Sequence, residues 1–256
     1  MALKLIVYII AGLGAGIGTG LAGLSAAAVI SPMLITFLGF PAYQAVGVSL
    51  ASDVLASGVS AYTYGKNKNL DIKNGLIMLF TVLVFTLVGS YVASLLPNAT
   101  MGGFSVVMTF LLGVKFIVRP VLATKSSQED KSMAKKAVQS VLCGIVVGFI
   151  CGFIGAGGGM MMLLLLTSVL GYELKTAVGT SVFIMTFTAF TGAASHMAIG
   201  GFPDPLALAV CVISTLVGAR VAAVFANKAD PVLLNRITGV VLAVLGLAMI
   251  LVKYVF

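Results

Sequence analysis

The sequence predicts an all-α polytopic membrane protein made of two inverted repeats, each a glycine-broken helical hairpin followed by three transmembrane helices. Three observations lead there: an apolar composition, an internal duplication and the placement of loop charges. The 256 residues are 60% hydrophobic and only 9% charged, against about 25% charged in a soluble domain. A water-facing surface could not be covered from that stock, so lipid is the main solvent. Thirty glycines suit closely packed membrane helices. The duplication is explicit. Ala45-Val-Gly-Val-Ser49 returns 132 positions later as Ala177-Val-Gly-Thr-Ser181. The same offset pairs Gly16 with Gly148, Gly20 with Gly152, Gly23 with Gly155 and Gly39 with Gly171. A repeat of this kind in a membrane chain points towards transport.

Prolines mark the elements. Pro41, Pro97, Pro120, Pro203, Pro205 and Pro231 fall between apolar segments, and only Pro32 lies inside one. The segments are 5–39, 44–64, 75–96, 101–119, 139–170, 177–199, 206–226 and 234–255. Six suit a single crossing of about 20 residues. The two that open each half, 5–39 and 139–170, are too long for one span and contain glycines near their middles. Each is therefore expected to form a hairpin of two short helices meeting near mid-membrane. The organisation is an N-terminal repeat, 1–119, a polar cytoplasmic linker, 120–138, and a C-terminal repeat, 139–256, forming one transport domain. The N-terminal run after Lys4 resembles a signal peptide, but its glycines have partners in the second half, so it belongs to the fold.

Charge sets the expected orientation. The net charge of +8 is concentrated in 65–74 and 119–137, the pattern of cytoplasmic loops. No basic face interleaved with aromatics suggests a nucleic-acid partner. Lys175, Lys228 and Arg236 place loops 171–176 and 227–233 on the same side. Loop 200–205, with only Asp204, belongs outside. Loop 40–43 then lies outside while its repeat partner, 171–176, lies inside, so the halves have opposite topology.

The chemistry is expected at the glycine interruptions, Gly20-Leu-Ala-Gly-Leu-Ser25 and Gly152-Phe-Ile-Gly-Ala-Gly-Gly-Gly159. A broken helix leaves backbone N–H groups at the start of the next half-helix, and their dipole favours an anion. The competing reading is that these glycines only permit close packing. Gly157, Gly158 and Gly159 would supply N–H donors, and Ser25 and Ser31 hydroxyls; Ser31-Pro32 reads as an N-cap and first turn. Ser49, Thr180 and Ser181 open the helices after each hairpin and are further substrate candidates, though such hydroxyls also bond to their own backbone. Asp53 is an intramembrane carboxyl, a candidate for proton or ion coupling or a hydrogen-bonded structural group. His196, the single histidine, is a candidate substrate or proton contact, or a structural one. Arg220 can snorkel to the cytoplasmic surface. Cys143, Cys151 and Cys211 read as buried thiols, and Met160-Met-Met as core filler. No metal-ligand spacing, catalytic constellation or cofactor motif is present.

These motifs resemble those of the TauE/SafE family, permeases of sulfite and organosulfonate anions. Gly155-Ala-Gly-Gly-Gly159, Gly171 and Ala177-Val-Gly-Thr-Ser181 match in the second half; Pro32, Gly39 and Ala45-Val-Gly-Val-Ser49 match in the first. Two departures stand out: Leu24-Ser-Ala-Ala-Ala28 replaces the glycine run, and Leu164 stands opposite Pro32. The resemblance implies a multi-pass inner-membrane permease for a small sulfur oxyanion, with lipid around it and a homo-oligomer left open. Competing readings are a permease for another solute such as a carboxylate, an intramembrane enzyme, and a non-transporting scaffold.

Overall fold

The computed structural model describes residues 2–95, 110, 111, 114, 117, 118, 133–154 and 158–254. Helices are the only regular elements among them. In the first half they are α1 (Ala2–Ala22), a single 3₁₀ turn (Ala26–Ala28), α2 (Ile30–Leu38), α3 (Ala42–Lys66) and α4 (Ile72–Ser94). In the second they are α5 (Met133–Ile154), α6 (Gly158–Ser168), α7 (Leu174–Gly200), α8 (Pro205–Lys228) and α9 (Pro231–Tyr254). Shifting α1 to α4 by the sequence offset lays them on α5 to α8 to within a few residues at each end. The first of the expected segments missing from this series, 101–119, lies mostly outside the described residues. α5 already begins at Met133, inside the stretch read as linker. α1, α3, α4, α7 and α8 are each long and apolar enough to cross a bilayer. Phe80, Phe190 and Val221 are among the large apolar side chains they leave exposed, as a lipid-facing surface requires.

The opening hairpins differ from the expected pair of short helices. α1 runs unbroken for 21 residues through Gly12, Gly16 and Gly20 and stops only at Gly23. The earlier glycines are packing residues. A Cβ on Gly16 would overlap the Thr215 carbonyl, and one on Gly20 the Ala219 carbonyl. A glycine inside a helix costs about 0.5–1 kcal/mol relative to alanine, and close approach of α8 offsets it. Gly23 instead takes φ +64, a left-handed conformation that ends the helix. The Leu24 N–H then reaches back to the Gly18 carbonyl at 3.3 Å. The same closure recurs where Phe40, after Gly39, donates to Leu34, and where Tyr172, after Gly171, donates to Leu166.

The halves exchange partners. α1 packs chiefly on α8, and α5 on α4. Gly12, Gly16 and Gly20 meet Ser214, Thr215 and Ala219 in turn, so α1 and α8 run parallel; Gly144, Gly148 and Gly152 likewise ascend α4. The equivalent helices α3 and α7 cross each other in opposite directions: Gly47 faces His196, Gly58 faces Thr186, and Gly179 faces Tyr64. Loops from the two halves gather at each end. At one, Asn69 donates to the Asn227 side chain at 2.9 Å, Lys175 to the Asn227 carbonyl at 2.8 Å, and Tyr172 to Asp71 at 3.1 Å. At the other, Tyr8 donates to Asp204 at 3.4 Å and Tyr43 to the Ser90 carbonyl at 3.2 Å. The loop before α3 and the loop before α7 therefore lie at opposite ends.

Candidate functional site

The first break delivers its polar groups to the middle of α3. After Gly23 the chain turns, and Ser25 caps the 3₁₀ turn, accepting from the Ala27 N–H at 3.3 Å. The Ser25 hydroxyl itself donates to Asp53 Oδ2 at 2.9 Å. Ser57, one turn along α3, donates to Asp53 Oδ1 at 2.9 Å. Asp53 is 1% exposed and occupies the centre of a 25-residue helix. Its side-chain partners are neutral hydroxyls. A carboxyl at this depth is costly unless protonated or balanced by another charge.

The second break comes to the same place. Gly159, in the first turn of α6, is so close to the first break that a Cβ there would overlap the Gly23 carbonyl. That Cβ would also lie 2.5 Å from Met185 Sδ and 2.8 Å from the Ser25 nitrogen. Gly23 in turn leaves room for the Ser181 hydroxyl, 2.6 Å from where its Cβ would stand. Met185 and Asp53 are repeat equivalents. One face of this centre thus carries a carboxyl and the other a thioether. Gly158 starts α6 beside Gly159, while Gly157 lies outside the described residues.

Five of the expected site residues are held elsewhere or otherwise. Ser31 is not an N-cap: α2 begins at Ile30, one residue before it, because the 3₁₀ turn has already reoriented the chain. The Ser31 hydroxyl instead pairs with Ser49 at 2.8 Å, and Ser49 donates to the Ala45 carbonyl at 2.6 Å. Thr180 accepts the Asp71 N–H at 3.1 Å, tying the α3–α4 loop to α7. Ser181 donates to its own helix at Val178, 2.9 Å away, while still bordering Gly23. His196, 2% exposed, turns both ring nitrogens towards backbone: Nε2 lies 3.0 Å from the Gly152 carbonyl and Nδ1 3.4 Å from the Tyr43 carbonyl, only one of which a neutral imidazole can donate to. Its ring stacks on Tyr43 with centroids 4.1 Å apart. Arg220 is exposed on α8.

Sequence reasoning missed Ser57, whose spacing of four from Asp53 on a helix was a usable signal. It also missed Met185 as a wall of the centre, which only the crossing of α3 and α7 reveals. The described residues include no cluster of His, Cys, Asp or Glu able to hold a metal ion.

A family model described as sulfite exporter TauE/SafE matches residues 8–249. Among curated proteins, the probable membrane transporter protein YdhB of Bacillus subtilis is 26% identical over 92% of this chain and 96% of its own length. YunE of the same organism, also named a probable membrane transporter, is 27% identical over 97% of this chain and 98% of its own. A probable membrane transporter protein of Methanocaldococcus jannaschii is 28% identical over 97% and 96% respectively. No solved structure gives a significant match.

Proposed function

The chain belongs to the sulfite exporter TauE/SafE family of membrane transporters, and from that membership we propose that it moves a small sulfur-containing oxyanion, sulfite or a sulfonate, across the inner membrane by alternating access. The observation that carries this reading is the meeting of the first break with the start of α6 where α3 crosses α7. The start of α6 there offers N–H groups, and Ser25 and Ser181 would offer hydroxyls on turning from Asp53 and the Val178 carbonyl, in a setting with little water to compete.

The halves are read as inverted repeats. The antiparallel crossing of equivalent helices and the reciprocal α1–α8 and α5–α4 pairing support that reading. The end that gathers Asn69, Lys175 and Asn227 is assigned to the cytoplasm, following its lysines. Rocking of one repeat against the other would expose the centre to each side in turn.

Asp53 is assigned the coupling proton. An oxyanion bound near Ser25 would stand within a few ångströms of the Asp53 carboxyl. Two unit negative charges 4 Å apart repel by about 4 kcal/mol at an effective dielectric of 20. Anion and proton therefore enter together, the proton on Asp53 removing that repulsion. The test is flux in proteoliposomes across sulfite, taurine, thiosulfate and acetate. Saturable sulfite or sulfonate flux, driven by an imposed pH gradient, is the expected result. Selective acetate flux, or none with any of these, defeats the substrate assignment.

A further inference from the structure

Tyr64 and His196 are equivalent positions in the two repeats, and each does something that its residue type conceals. The Tyr64 hydroxyl donates to the Gly20 carbonyl at 3.1 Å and also approaches the Leu21 carbonyl at 3.4 Å. His196 Nε2 lies 3.0 Å from the Gly152 carbonyl, closer than Nδ1 lies to the Tyr43 carbonyl, so Nε2–H is the tautomer the geometry favours. Gly20 and Gly152 are themselves equivalent. Both carbonyls lie in the last turn of their helices, α1 and α5, where a helix leaves its final carbonyls without partners of its own. Both rings are buried, Tyr64 at 1% and His196 at 2% exposure.

The rings also share a seat. Tyr64 Cβ lies 2.9 Å from where Gly179 would carry a Cβ, and His196 Cβ lies 3.6 Å from that position at Gly47. Gly47 and Gly179 are the glycines of the duplicated Ala-Val-Gly-x-Ser motif. Each motif glycine thus faces a ring-bearing residue of the other repeat; a Cβ would be tolerated at Gly47 and excluded at Gly179, where the Asn69 carbonyl is nearer still. Ring position, carbonyl and facing motif glycine all recur at the one offset, which an accidental contact would not do.

We propose that Tyr64 and His196 are one positioning device written twice: a ring, packed beside the opposite repeat's motif glycine, that fixes the carbonyl end of the broken helix. On this assignment His196 holds the second break in place and neither touches the substrate nor relays a proton. A phenol satisfies the same carbonyl in the first repeat, so the chemistry required is a buried donor of the right reach. The device joins the repeats, because the ring comes from one of α3 and α7 and the glycine it packs beside from the other.

Two measurements test this. The chain has a single histidine, so ¹⁵N-histidine labelling of the purified protein reports one ring. At pH 8 the neutral imidazole should be the Nε2–H tautomer; the Nδ1–H tautomer would overturn the assignment. That readout is independent of any substrate, and so stands if the sulfur-anion reading fails. The second measurement rests on that reading and uses sulfite flux in proteoliposomes, with wild type as the reference. His196→Tyr should retain flux within about threefold and keep the wild-type pH profile. His196→Phe, which removes the donor and keeps the ring, should lose on the order of tenfold. Tyr64→His and Tyr64→Phe should repeat the contrast in the first repeat, which covers the case where the larger ring at 196 prevents folding. Equal flux in the Phe and donor-bearing variants at both positions, or a changed pH profile in a folded His196→Tyr protein, would refute the proposal.

Discussion

Asp53 is the residue on which the proposed mechanism turns, and its hydroxyl partners set it apart from its repeat equivalent, Met185. Hydroxyls from Ser25 and Ser57 hold both carboxyl oxygens in a fixed position. Asp53→Asn keeps the shape and, with one serine hydroxyl turned to accept from the amide, both hydrogen bonds, while removing the titratable proton. Counterflow of sulfite should then persist, while uptake driven by a pH gradient falls at least about tenfold; loss of both together would assign Asp53 to binding. Ser25→Ala removes a cap and a donor at once. It should lower stability by about 1–2 kcal/mol, measured as reduced denaturant tolerance in detergent, and weaken anion binding in the same protein.

At the scale of elements, glycines do two different jobs, and substitution separates them. Gly39 stands at φ +66 with nothing within 4 Å of a built Cβ. Gly39→Ala should therefore show only the left-handed penalty, about 1–2 kcal/mol. Gly152 sits in α5, where a Cβ would strike the Thr86 carbonyl. Gly152→Ala must push α4 and α5 apart and should cost more, about 1–3 kcal/mol from overpacking alone, plus the disturbed His196 contact. Thermal unfolding in one detergent, compared between the two variants, checks the order. Element boundaries were legible in the sequence because prolines and left-handed glycines are local signals. Ser31 shows the limit of such signals: its Ser-Pro pair carries the mark of a cap, but the preceding 3₁₀ turn had moved the helix start. The motif glycines Gly47 and Gly179 were visible as a repeat, whereas the residues they face were not. His196 and Tyr64 come from far along the chain, and no periodicity within one helix reports a neighbour's side chain.

For the whole molecule, the crossing of α3 and α7 in opposite directions places equivalent loops at opposite ends. Reporter cysteines can check which end is which. Cys143, Cys151 and Cys211 are buried, so the native thiols form a quiet background. Lys68→Cys should react with a membrane-impermeant maleimide only from the cytoplasmic side, and Phe202→Cys only from the other. Reaction of both from one side would defeat the inverted arrangement. The coarse architecture was readable from composition, offset and loop charge, since each is a property of the chain as written. The side chains that line the meeting of the two breaks, Ser57 and Met185 among them, were not, because they depend on how α3 and α7 cross.

The exchanged pairing of α1 with α8 and α5 with α4 also constrains how the protein is made. At about 5–20 residues per second, α1 enters the membrane on the order of ten seconds or more before α8 is synthesised. Its glycine-lined face has no mate during that interval. Neither half contains the helix its own opening segment needs, so a nascent first half waits exposed to quality-control proteases. Each half expressed alone should be degraded, whereas the two halves expressed together should rescue one another. The protein is thus a dimer in its assembly logic, with the second subunit arriving on the same ribosome.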